Sequence, residues 1–193
     1  DDVGPGEPFI DRPYKRLRPT FEEQFGGERH NAILTWVNES IYNQKTSIHW
    51  KLFVFLHNLT PTKAFDLGGH KFIFNYIKLI FNGVLGDYKE FIYKLTIDPS
   101  MLNYLNLQLS QKDTPDENYA RELQELFTVG KRPFSKFTEE DVRSVARALV
   151  GWRFDYDKMI YTEGHEPAID FNDWNHDQGD KQFSSFYNNH IIK

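Results

Sequence analysis

The stretch that most limits how this chain can fold runs from Thr114 to Trp152, where two apolar-periodic segments flank a short basic turn. Thr114, Pro115 and Glu117 read as a helix start. The threonine caps, the proline gives up an N–H that would be orphaned at that position anyway, and Glu117 returns the capping bond. On a helical wheel Tyr119, Ala120, Leu123, Leu126 and Phe127 share one side. Glu117, Asn118, Arg121, Glu125 and Thr128 share the other, with Glu122 at the seam. Gly130 then ends the helix in the position that favours a left-handed residue. Thr138 and Asp141 have the spacing of a second capping box, Val142, Val145, Ala146 and Leu149 share a face, and Gly151 closes that helix. Two amphipathic helices on a short connection are expected to pack as an antiparallel hairpin.

The rest of the chain reads as mainly helical. Ile33, Leu34, Trp36, Val37, Ile41 and Tyr42 suit a helix over 31–43, and residues 47–58 are apolar nearly all round, which predicts a buried central helix. Pro61 stops it, and Gly68-Gly69 marks a loop. Helical spacing returns over 70–82 and from Asp87 to Leu95, with a short helix near Met101. After Trp152, residues 153–156 and 169–171 suit short strands, with Gly164 and Pro167 between them. Residues 1–30 contain Pro5, Pro8, Pro13 and Pro19, several glycines and a basic run at 14–18, and read as an extended arm or linker. The expected fold is mainly α: a single multi-helix, bundle-like domain over 31–193 with a short irregular or β-hairpin C-terminal region.

Composition narrows the function. With 193 residues the chain can bury one sizeable core. Its 28 acidic against 23 basic residues leave a formal charge of −5, so it carries no net electrostatic footprint for nucleic acid. There is no cysteine, which excludes disulfides, thiolate metal ligands and a cysteine nucleophile. No apolar run approaches the roughly 18 residues of a membrane-spanning helix. Aromatic residues make up 16% of the chain, which suits an aromatic-rich core, with a sugar-stacking or partner surface as the alternative.

Chemistry-bearing residues gather around the hairpin. Glu117, Arg121, Glu122, Arg143 and Arg147 suit a structural ion-pair network between its two helices, since half-buried carboxylates need an arginine, hydrogen bonds or a cation. The competing reading makes His57, Arg121, Glu122, Glu125, His176 and Asp177 candidate catalytic residues. His57 with Glu122 and Glu125 could hold a metal between helices, and His176 beside Asp177 could act as a base with its orienter. No Glu-x-x-His pair, G-x-S-x-G elbow, phosphate loop or dinucleotide fingerprint is present, and no cofactor is assigned.

The same hairpin carries a resemblance. The run P-D-E-N-Y-A-R-E-L-Q-E-L-F-T-V-G from Pro115 to Gly130, followed by T-E-E-D-V-R-S-V-A-R-A-L-V-G-W from Thr138 to Trp152, resembles the signature of the bacterial domain of unknown function 1800 family. Asp116 and Val150 depart from it, standing where the family usually has Asn and Thr. Lys51, Phe55, His57 and Asn58 resemble a second family segment, although Leu56 and Leu59 replace its Trp and second His. A run near Asp98-Met101-Leu102 and the tail at His176, Asp177, Gly179 and Lys181 fit as well. The resemblance implies an exported bacterial protein of the periplasm, outer membrane or cell surface, of which this chain is an interior portion. The first reading of the chain is then a non-enzymatic helical structural or interaction module in a cell-envelope or secreted assembly, with residues 1–30 draped over a protein partner. A secreted sulfatase-like protein is the partner that family association suggests. The alternative is a hydrolase-like or metal-dependent enzyme with a Glu/His/Arg site. Metal analysis and the convergence of these side chains discriminate the two.

Overall fold

A computed structural model describes residues 28–43, 47–63, 70–131, 133, 135–161 and 167–193. Most of the arm expected at 1–30 and the Gly68-Gly69 loop lie outside them. The described chain is mainly helical, with two short antiparallel strand pairs toward its C-terminal end. It packs as two compact units, residues 1–100 with 155–168, and residues 101–154 with 169–193.

The first unit holds α1 (Glu28–Tyr42), α2 (Ile48–Leu59), α3 (His70–Gly83) and α4 (Tyr88–Thr96). Ser47 caps α2 and Asp87 caps α4, each accepting a backbone N–H of the first turn. Rings lock the helices together: Phe81 of α3 lies 4.1 Å from His49 and 4.9 Å from Trp50, and Trp36 of α1 lies 5.7 Å from Phe74. The expected burial of α2 is not met. Trp50, Phe53 and Leu56, spaced three apart, take one inward stripe, while Ile48 and Phe55 on the opposite face are each 64% exposed. A helix in contact along one stripe leaves its remaining apolar residues outside, whatever their hydrophobicity.

Where α3 meets α4, Gly83 allows the closest approach in the unit. A Cβ there would lie 2.3 Å from Cδ2 of Phe91, a ring buried among its neighbours. Gly83→Ala is expected to destabilise the unit by about 1–3 kcal/mol through overpacking, read as a lower urea midpoint. An unchanged midpoint would show that the two helices separate at little cost.

The second unit is built on the hairpin. After α5 (Pro99–Tyr104) and a 3-10 turn at Leu107–Leu109, α6 (Asn118–Glu122) continues into a π-helical turn, Leu123–Thr128. α7 (Glu139–Leu149) returns against α6, and Ala120, Phe137, Val142 and Ala146 form the core between them. The chain then forms β1 (Trp152–Phe154), passes through α8 (Tyr156–Tyr161) of the first unit, and continues as β2 (Ile169–Phe171), β3 (Lys181–Gln182) and β4 (Ile191–Ile192). β1 pairs antiparallel with β2, Trp152 opposite Phe171, and β3 pairs antiparallel with β4. Tyr156, expected in a strand, instead opens α8, where the Asp155 carboxylate accepts the Lys158 N–H.

Two local expectations in the hairpin are corrected. Thr114 does not cap α6; it pairs with Gln111 in an isolated bridge, and the Asp116 carboxylate accepts the Asn118 N–H at 2.8 Å. A side chain two residues before the N–H it bonds outcompetes a threonine four residues away. The predicted apolar face also slips. Leu126 is 46% exposed and Gln124 is buried, because the π turn inserts an extra residue and rotates the following side chains. Thr128 Oγ1 donates to the Leu123 carbonyl at 2.6 Å and Gln124 Nε2 to the Ala120 carbonyl at 3.0 Å, holding the wider turn. Gly130 follows at φ +84°, as its position predicts.

Candidate functional site

The charged residues of the second unit fall into two groups on α7. At its N-terminal end Thr138 and Asp141 form the predicted capping box: Asp141 N–H donates to Thr138 Oγ1, and Thr138 N–H to Asp141 Oδ2 at 2.7 Å. The buried Asp141 also reaches 43 residues along the chain. Ser184 donates to it twice, from its backbone N–H and from its hydroxyl, each at 2.7 Å. Burial by itself pushes the Asp141 carboxyl up, and the bonds from Ser184 and Thr138 overcome that and hold it below the usual carboxylate range.

One turn from the C-terminal end of α7, Arg147 grips Asp177 with two parallel bonds, Nε to Oδ2 at 2.6 Å and Nη2 to Oδ1 at 3.1 Å. Its Nη1 donates to the Asp180 carbonyl at 3.1 Å. Gly179 N–H donates to Asp177 Oδ1 at 2.7 Å, and the buried Lys181 ammonium donates to the Asp177 carbonyl. A Cβ on Gly179 would sit 2.8 Å from Arg147 Nη2, so a side chain there would have to displace the guanidinium. Arg147 holds the Asp177 carboxyl well below its ordinary value, against the opposing effect of burial. Ser144 Oγ donates to the Gln182 carbonyl at 2.7 Å, so α7 is tied to residues 177–184 along its length. Between them runs a groove of about 340 Å³, lined among others by Glu140, Ser144, Arg147 and Phe183.

Both carboxylates have folded-state values below their unfolded ones. Their contribution is therefore complete above the unfolded value of 3.8 and is lost as pH falls through the folded values. The part of the urea midpoint that these two carboxylates supply should stay level from about pH 8 to about pH 5 and drop below about pH 4. Asp177→Asn should lower the midpoint at neutral pH and flatten this acid limb. A double-mutant cycle with Arg147→Gln should return a coupling of about 1–3 kcal/mol, and a coupling near zero would make the pair ornamental.

Other ion pairs of the second unit lie along and across the hairpin. Arg121 bonds Glu117 at 3.0 Å, one turn back on its own side, and Glu139 of α7 at 2.7 Å. Arg143 reaches Glu117 at 3.5 Å and Glu140 at 2.9 Å. Glu125 pairs with Lys131 at 3.0 Å in the connection after the π turn. Glu122 is half-buried and makes no ion pair among the described residues, and the partner of Arg147 is Asp177 rather than a carboxylate of α6. Among the described residues no three His, Asp or Glu side chains gather in a way that could hold a metal ion.

The candidate histidines have neighbours of their own. His57 belongs to the first unit, with its ring 6.0 Å from Phe53 and 6.4 Å from Tyr76, and the desolvation there lowers its pKa. Glu122 and Glu125 belong to the second unit. His176 Nδ1 lies 2.6 Å from the Val150 carbonyl. A carbonyl can only accept, so in the neutral ring Nδ1 carries the proton and Nε2 the lone pair. The orienter of His176 is thus a backbone carbonyl, and Asp177 is committed to Arg147. Sequence reasoning missed Ser184, Gln124 and Tyr187, whose hydroxyl donates to Gln124 Oε1 at 2.9 Å. Burial, with the charge of Asp141, raises the Tyr187 pKa to about 12. None of the three had a spacing signal, because their partners lie 43 and 63 residues away.

Comparison with known proteins adds one match. The family model described as Protein of unknown function (DUF1800) covers residues 14–190. No curated protein and no solved structure matches the chain. The tail residues His176, Asp177, Gly179 and Lys181, which carry part of the sequence resemblance, are those the structure places on or beside the Arg147–Asp177 pair. With nearly the whole length matched, the chain belongs to the DUF1800 family.

Proposed function

We propose that this chain is a non-enzymatic helical module of a bacterial cell-envelope or secreted assembly, exported to the periplasm, outer membrane or cell surface, where it binds a protein partner. The observation that carries this reading is the internal use of the signature charges. Arg121, Arg143 and Arg147 each bond carboxylates of the same unit, and Asp141 and Asp177 each tie α7 to the C-terminal segment. Charges that satisfy one another stabilise a shape and leave little to polarise a substrate. Among the described residues no helix is long and apolar enough to cross a membrane. Family association supports export and makes a secreted sulfatase-like protein the first partner to test.

The hydrolase-like or metal-dependent alternative keeps two footholds, the half-buried Glu122, which makes no ion pair among the described residues, and the Nε2 atom of His176. One preparation separates the readings. Protein purified without chelator from its native host is located by fractionation, analysed for metals, and assayed on sulfate, phosphate and carboxylate esters. Recovery outside the inner membrane, without stoichiometric metal or turnover, supports the module. Turnover abolished by Glu122→Gln or His176→Gln would replace it with the enzyme, and a cytoplasmic location would remove the envelope assignment.

A further inference from the structure

Trp174 is the most exposed tryptophan described, at 80%. The turn that carries it is nonetheless anchored. The residue lies in the 3-10 turn Asp173–Asn175, which Asn172 caps by accepting the Asn175 N–H at 3.2 Å. The buried Asn175 side chain clamps the turn to residues far away in sequence, donating to the Ser110 carbonyl at 3.0 Å and accepting the Lys112 N–H at 3.4 Å. Lys112 then doubles back. Its ammonium donates to the Trp174 carbonyl at 3.2 Å and sits over the indole ring, 4.4 Å from the centroid. One ring face meets a cation, and at 80% exposure most of the indole stays open to water.

We propose that Trp174 is a stacking platform for a neutral glycan. An aromatic face presented to water carries negative quadrupole density, and the C–H groups on one side of a pyranose ring carry the complementary partial positive charge. An anchored turn with a cation already seated on the ring lowers the ordering cost that binding would otherwise carry. The surroundings favour a sugar over a protein anchor pocket. A tryptophan that serves as a protein hot spot sits among apolar contacts that exclude water. Trp174 is instead flanked along the chain by the exposed Asp173, and its covering lysine by the exposed Asp113, carboxylates suited to sugar hydroxyls. Those carboxylates and the net charge of −5 disfavour an anionic polysaccharide. The inference does not depend on the module reading above, because a glycan platform fits a scaffold and an enzyme equally.

The test measures binding of cello-, chito-, laminari- and malto-tetraose by calorimetry, with alginate as the anionic control, on the full chain. At least one neutral tetrasaccharide should bind. Trp174→Ala should weaken that binding by at least about tenfold, with Trp174→Phe between the two. Lys112→Met should also weaken it, by freeing the ring. Because the side chain is exposed, the thermal midpoint of Trp174→Ala should match the parent, which separates lost binding from lost fold. Absence of binding to all four sugars, equal binding by Trp174→Ala, or preference for alginate would each overturn the proposal. A Trp174-dependent self-association without sugar binding would overturn it in favour of a protein contact.

Discussion

Replacing Asp141 with alanine is expected to cost on the order of 3 kcal/mol, among the largest effects of any single substitution in the second unit. The carboxylate is fully buried and accepts from two segments at once, the Thr138 backbone and hydroxyl and the Ser184 backbone and hydroxyl. Loss of the helix cap alone costs about 1 kcal/mol, and stranding the Ser184 donors adds the penalty of unpaired groups in a desolvated place. Ser184→Ala removes one of these bonds and keeps the backbone one, so it should cost clearly less. Urea unfolding of both variants at pH 7 gives the comparison. A loss under about 1 kcal/mol for Asp141→Ala would mean that α7 and the C-terminal segment hold together by apolar contact alone. Asp141→Asn tests charge separately: it keeps one acceptor oxygen and the shape, so a loss nearly as large as that of alanine would assign most of the effect to the negative charge.

Gly151→Ala is the second large effect, expected at about 2–4 kcal/mol and checked by the same unfolding measurement. Gly151 sits between α7 and β1 at φ +117°, outside the region that residues with a Cβ readily adopt. Space is also lacking, since a Cβ would meet the Phe171 ring at 2.9 Å and the Asn172 carbonyl at 3.2 Å. The Gly151 carbonyl meanwhile accepts the Asn172 N–H at 2.9 Å, which continues the β1–β2 ladder, and the Phe171 ring lies 5.2 Å from His176. The variant should therefore perturb the His176 ring resonances as well as stability. Unchanged resonances alongside full stability would show that this corner relaxes freely.

How far the chain can be read without coordinates differs from element to element. Thr138 through Asp141 forms the capping box that its spacing implies, and Gly130 and Gly151 take the positive φ that their places after helical runs demand. These features depend on residues a few positions apart, which is why spacing finds them. The start of α6 was misread within the same range, because Asp116 competes with Thr114 and the nearer side chain prevails.

The candidate site was legible by residue and not by pairing. Arg121, Arg143 and Arg147 stand out as charges on amphipathic helices, yet Arg147 finds Asp177 thirty residues away, and Glu117 takes the arginines that could have served Glu122. His176 and Asp177, adjacent in the chain, turn to different partners, a carbonyl of residue 150 and a guanidinium of residue 147. The amino-acid order by itself determined the helical class, the hairpin, its caps and glycines, and the family, since each rests on local periodicity or on a motif. Only the tertiary structure decided which charge meets which, that Gln124 replaces Leu126 inside the π turn, and that Trp174 stands in the open on an anchored turn. Those outcomes follow from competition among distant groups for the same few donors, acceptors and buried places, and local spacing carries no record of who wins it.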